Sequence, residues 1–98
     1  MKLVRDKIPE IMKEKGKHPT IHVAEDGEYW QMLKEKLKEE AEEFWGNENV
    51  EELADILEVI HAICEFNGTE MQKIEEMRKK KTQKRGSFKK RIILDETK

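Results

Sequence analysis

Two acid pairs with the same spacing stand out in this 98-residue chain: Glu40 with Glu43, and Glu52 with Asp55. Side chains three residues apart on a helix project from one face, so each pair offers two carboxylates to one point. At about 100° per residue, Trp30, Leu33, Leu37, Ala41 and Phe44 gather in a sector about 80° wide. Glu40 falls roughly 20° outside Leu33, and Glu43 about 60° further round. Glu39 and Glu42 point away, towards solvent. On the following segment Glu52 and Asp55 share the angular range of Ile56, Val59 and Ile63, whereas Glu51 and Glu58 occupy another flank.

Carboxylates crowded beside an apolar seam repel one another and lose hydration, which raises their pKa or obliges them to find cations. A divalent ion resolves both problems. An all-oxygen set without His or Cys selects hard cations, Mg²⁺ first and Mn²⁺ second. Two such pairs on packed helices can converge on one site.

Each acid taken singly also has a structural reading. Glu52 is the third residue after Asn49, as in a capping box, and Asp55 favours a helix N-terminus. Glu40 has Lys36 four residues before it, and Glu43 can pair with a base elsewhere. Two inward-leaning pairs at matching spacing favour metal over these separate explanations.

The elements that must position the acids follow from periodicity and punctuation. Asp6 can cap a short helix through "KIPEIMKEKG", with Pro9 in its first turn and Gly16 ending it. "HPTIHVA" (18–24) reads as extended, with Ile21 and Val23 alternating with polar residues. A long helix is predicted from Asp26 or Gly27 to a stop at Gly46, a second from Asn49 to Gly68, and a third from Thr69 to about Arg85. "TEMQ" has a capping-box pattern at the start of the third. "SFKKRIIL" (87–94) is a short tail that Phe88 and Ile92–Leu94 would anchor.

These elements amount to one all-α domain over residues 1–98, an antiparallel helix bundle with short extended segments near 18–24 and 88–94. The core available at this size is small. "VEELADILEVIHAIC" is apolar around much of its circumference: Leu53, Leu57, Ile60 and Cys64 lie on one side, with Ile56, Val59, Ala62 and Ile63 around the rest. Such a helix needs neighbours on several sides, so a helix-packed homo-oligomer, a dimer first, is expected. Trp30 and Trp45 read as core or interface, His61 as a packed histidine, and Cys64 as a small buried hydrophobe.

Charge bounds the function further. Charged residues make up 43% of the chain, with 20 Lys+Arg against 22 Asp+Glu and a net charge of −2. That balance argues against a nucleic-acid partner. The single cysteine permits no intramolecular disulfide, which suits a reducing cytoplasm. No stretch reads as a signal peptide or a membrane span.

The motifs "KLKEEAEEF" and "EELADILEVIHAI" resemble the paired E-x-x-E and E-x-x-D motifs of the all-α nucleotide pyrophosphohydrolases. That superfamily includes MazG-like enzymes, dimeric dUTPases and phosphoribosyl-ATP pyrophosphohydrolase. The chain is closer still to a small MazG-like group labelled phosphoribosyl-ATP pyrophosphohydrolase-like, which opens with a stretch like "KLVRDKIPEIM" and closes with one like "KRGSFKKRIIL". The resemblance implies a Mg²⁺-dependent hydrolase that cleaves between the α- and β-phosphates of a nucleoside triphosphate, giving a monophosphate and pyrophosphate. It implies nucleotide-pool house-cleaning as the role. By motif position it implies Glu40, Glu43, Glu52 and Asp55 as metal ligands, with Glu40 or Glu43 as general base and Glu39 assisting through water. Only eight residues separate Glu43 from Glu52, a short connection beside many relatives.

The basic ends complement the acids. "RKKKTQKRGSFKKR" (78–91) holds Lys81, Lys84 and Arg85, which could grip the β- and γ-phosphates, with Gly86 permitting close backbone approach. Arg5 and Lys7 form a second candidate clamp. The bland reading of 78–91 is a solvated helix end whose cations favour its C-terminus. Two alternatives remain from sequence: phosphoribosyl-ATP hydrolysis in histidine biosynthesis, and a non-enzymatic helical oligomerisation or partner-binding module.

Overall fold

The computed structural model describes residues 1–98. The chain forms four helices and no strand: α1 (Ile8–Glu14), α2 (Asp26–Asn47), α3 (Glu51–Asn67) and α4 (Met71–Arg85). The segments 18–24 and 88–94, expected to be extended, form no ladder; Ile21, Val23 and Ile92–Leu94 have no apolar surface to face and stand exposed.

Helix boundaries depart from the sequence reading where side chains take over from glycine. Gly46 lies inside α2, which ends instead at Glu48 in the left-handed region (φ 55°), its N–H donating to the Phe44 carbonyl at 2.8 Å. Two asparagines hold the turn that follows: the Asn49 N–H donates to Asn47 Oδ1 (2.8 Å), and the Glu51 N–H to Asn49 Oδ1 (2.9 Å). Asn49 thus precedes α3 and caps it from outside.

Gly68 closes α3 at φ 68°. The Thr69 N–H donates to the Cys64 carbonyl and that of Gly68 to the Glu65 carbonyl, the paired bonds of a Schellman stop. Thr69 therefore belongs to the end of α3, which is why the "TEMQ" box does not form and α4 starts after Glu70 without a side-chain cap. Nor does Asp6 cap α1: Lys7 holds the cap position, already helical, and Pro9 sits in the first turn as expected.

Only α2 and α3 pack extensively on each other. At one end of the pair Phe66 stacks on Trp30, with centroids 5.6 Å apart, and meets Tyr29 edge-on at 5.5 Å. Lys34 places its ammonium over the Trp30 ring. Leu33, Val59 and Cys64 are the buried hydrophobic residues, and Glu40 is buried with them. The inward line of α2 is thus turned towards the acids, leaving Ala41 and Trp45 outside.

Much apolar surface has no cover within the chain. Val50, at the N-cap of α3, and Leu53 and Leu57 within it form an exposed stripe, and Phe88 is 98% exposed rather than anchoring the tail. His61, expected to be packed, is exposed. α4 is exposed along most of its length. The radius of gyration is 17.7 Å, against about 13 Å for a compact domain of this length. No helix is long and apolar enough to cross a membrane.

Candidate metal centre

The connection between α2 and α3 spans only Glu48–Val50, so it places the last turns of α2 beside the first turns of α3. Both acid pairs sit there. Carboxylate oxygens of Glu40, Glu52 and Asp55 all lie within 4.8 Å of one another, and those of Glu39, Glu40 and Glu43 form a second such group that shares Glu40. The four acids singled out by spacing come together, with Glu40 at the hub.

The fifth, Glu39, corrects the angular reading. It is half-buried rather than solvent-facing, because Lys36 holds it at 3.6 Å and Glu40 Oε1 at 3.1 Å. Burial pulls the Lys36 ammonium down, but its bond to Glu40 and the two carboxylate charges outweigh that and raise its pKa.

The capping-box explanation of Glu52 fails. Its Oε1 accepts from Asn47 Nδ2 at 3.1 Å, and the Asn49 N–H it would have reached is already bonded to Asn47. Asp55 is half-buried and accepts from Arg5 Nη2 at 2.9 Å.

Two carboxylate oxygens at the centre are buried without any partner: Glu40 Oε2 and Glu52 Oε2. An unsatisfied buried polar group costs about 1–3 kcal/mol, and more when charged. Lys36 and Asn47 engage only the other oxygen of each residue. The donor set is all oxygen, anionic and short of positive charge, which fits a hard divalent cation.

Glu43 lies at the exposed edge of the group. The nearby Glu40 carboxylate raises its pKa first, with burial and the Glu52 carboxylate adding to the rise. Of the two causes expected for a raised carboxyl here, the like-charged neighbour outweighs lost hydration.

Two of the five acids, Glu40 and Asp55, reach a cleft of about 710 Å³ between α2, α3 and the N-terminal arm. Glu40 and Asp55 line it together with Lys36 and Arg5, and Tyr29 and Glu65 line it as well. Of the basic candidates only Arg5 reaches the cleft; Lys7 does not line it, and Lys81, Lys84 and Arg85 stand exposed on α4 outside it. Sequence reasoning missed Asn47, Tyr29 and Glu65. The 4-3-4 spacing of Tyr29, Leu33, Lys36 and Glu40 along one face of α2 was the signal that could have found the long cleft wall.

No family model and no solved structure matches the chain. An uncharacterized protein of Mycolicibacterium smegmatis is 49% identical over 41 residues, a match spanning 42% of this chain and 42% of that relative's length.

Proposed function

We propose that the chain is a Mg²⁺-dependent nucleotide pyrophosphohydrolase, with Mn²⁺ as an alternative ion. The observation that carries this reading is the pair of buried, unpartnered oxygens of Glu40 and Glu52 within an all-carboxylate group at the wall of a cleft large enough for a nucleotide. The resemblance of the acid motifs to those of the all-α pyrophosphohydrolases supplies the reaction class.

Glu40, Glu52 and Asp55 hold the cation, with Glu43 and Glu39 beside them. When bound, Mg²⁺ neutralises phosphate charge and polarises the bond between the α- and β-phosphates. Of the two candidate bases Glu43 has the freer carboxylate, and Glu40 is the one that lines the cleft. Glu43 is exposed to water and its pKa is raised, while Glu40 is buried and committed to Lys36. A base whose pKa lies nearer the working pH accepts the water's proton more effectively. Lys36 holds the Glu40 carboxylate in place. Arg5 ties the arm to Asp55 and stands at the cleft, where its guanidinium can meet a phosphate.

The antiparallel arrangement of α2 and α3 is supported by their short connection and by contacts at opposite ends, Asn47 with Glu52 and Trp30 with Phe66. A homodimer is supported by the stripe Val50, Leu53 and Leu57 and by the extended shape of the single chain. Because Lys81, Lys84 and Arg85 lie outside their own chain's cleft, phosphate binding by them requires a second copy to carry α4 there.

The test is incubation with a panel of ribo- and deoxyribonucleoside triphosphates, with Mg²⁺ or with EDTA. Monophosphate plus pyrophosphate, lost with EDTA and in Glu40→Gln, is the expected result. Diphosphate plus phosphate would overturn the assignment of the cleaved bond, and the absence of any turnover, phosphoribosyl-ATP included, would overturn the enzyme.

A further inference from the structure

We propose that Asn47 is a positioning residue for the metal: it turns Glu52 towards the acid group and keeps it from capping its own helix. This rests on the metal reading of that group.

Asn47 is the last residue of α2 and Glu52 the second of α3. The Glu52 carboxylate has two places to go. One is the Asn49 N–H three residues back, the bond a capping box would make at this helix start. The other is the group it forms with Glu40 and Asp55. Asn47 decides between them with both ends of its amide. Its Oδ1 accepts from the Asn49 N–H at 2.8 Å, which occupies the capping bond. Its Nδ2 donates to Glu52 Oε1 at 3.1 Å. A backbone N–H only donates, so the first bond fixes which end of the amide is oxygen and leaves the NH₂ facing Glu52. Asn47 is exposed, but the bond to the Asn49 N–H already holds its rotamer, and the second bond orders little that was free.

With Oε1 held in this way, Glu52 Oε2 is buried without a partner, as is Glu40 Oε2. Oxygens of Glu40, Glu52 and Asp55 lie within 4.8 Å of one another. Each of the three has one oxygen held from outside the group: Glu40 by Lys36, Asp55 by Arg5 and Glu52 by Asn47. Partners that orient a metal ligand are worth about 10–100-fold in metal affinity. Lys36 and Arg5 bring a positive charge with the bond. Asn47 orients without one, and Glu52 forms no ion pair within the chain. Glu52 therefore meets an incoming cation with its charge not shared with any base of its own chain.

The test is calorimetric titration with Mg²⁺ alone, without nucleotide, together with thermal melts in EDTA. Asn47→Ala frees the Asn49 N–H for Glu52, so Kd for Mg²⁺ is expected to rise about tenfold or more while Tm in EDTA stays within a few degrees of wild type. Asn47→Ser, whose hydroxyl can keep the Asn49 N–H but is too short to reach Glu52, is expected to weaken Mg²⁺ as well. Asn49→Ala keeps the N–H at position 49 and loses only the bond to the Glu51 N–H, so its Kd should match wild type. In a Glu52→Ala background Asn47→Ala should raise Kd no further, because it acts through Glu52. An unchanged Kd in both Asn47 variants, an equal rise in Asn49→Ala, or an undiminished rise in the Glu52→Ala background would overturn the positioning role and leave the metal reading standing. A wild type that binds no Mg²⁺ would overturn the metal reading, and this inference with it.

Discussion

Arg5 and Asp55 are 50 residues apart in sequence, yet Arg5 Nη2 donates to Asp55 Oδ1 at 2.9 Å. The contact fastens the N-terminal arm to the helix that carries the second acid pair, and so makes one wall of the cleft. Both side chains keep substantial exposure, so the pair contributes little to stability, at most about 1 kcal/mol. Arg5→Ala should leave Tm within a few degrees of wild type and raise KM for a triphosphate several-fold. Arg5→Lys should restore Tm but not KM, since an ammonium lacks the fork that serves two anions at once. Steady-state kinetics with thermal melts on both variants check this.

Glu40→Gln should separate stability from function. It removes a buried charge that faces Glu43 and Glu52 with one oxygen unpartnered, so Tm in EDTA should stay level or rise. Added Mg²⁺ at a hundredfold excess over Kd should stabilise wild type by about 2.7 kcal/mol, roughly 10 °C or more at this chain length. It should not stabilise the variant. Activity should fall by at least about 10²-fold. Calorimetric melts with and without Mg²⁺ read both effects.

The raised pKa of Glu43 gives pH dependence a definite sign. A carboxyl whose folded pKa exceeds its unfolded value favours the fold while protonated, and that contribution is lost as pH rises through the folded pKa. In EDTA, wild-type Tm should therefore decline as pH climbs above the ordinary carboxylate range, and Glu43→Gln should flatten that decline. A melting series across pH 4 to 8, about the span of interest for a raised carboxyl, distinguishes the two.

Leu53 and Leu57, 47% and 49% exposed, lie one turn apart on α3. If this stripe joins two copies, replacing both with Lys should give a monomer in sedimentation where the wild type is a dimer. Two charges at an apolar interface oppose association. A variant that remains dimeric places the interface on another surface.

If α4 serves the cleft of a second copy, two inactive variants should rescue each other. Glu40→Gln and the double variant Lys84→Ala with Arg85→Ala should each lose activity, and mixing with exchange of subunits should recover about a quarter of the wild-type value, from the heterodimer site that carries both intact parts. Failure of recovery in a verified heterodimer confines the phosphate clamp to residues of the same chain.

The acid group was legible before any coordinates because helical periodicity is local. A fixed angle per residue decides which side chains share a face, so Glu40, Glu43, Glu52 and Asp55 could be placed beside the apolar seam from their numbers alone. Helix content was legible for the same reason, as was the Gly68 stop, where only a left-handed residue suits the turn. Tertiary structure decided what depends on contacts between distant segments. The α2 stop is local by contrast: Asn47 and Asn49 accept from N–H groups two residues on, which holds the turn and sets the stop at Glu48 rather than Gly46. Packing against α3 turned the buried line of α2 towards Glu40 and left Trp45 outside. The pairing of Arg5 with Asp55, and the cleft that runs from the acids to Tyr29, depend on an arm folding back across two helices. No local periodicity encodes that return: its geometry is set by the shape of the surface the arm meets, which exists only once α2 and α3 have packed.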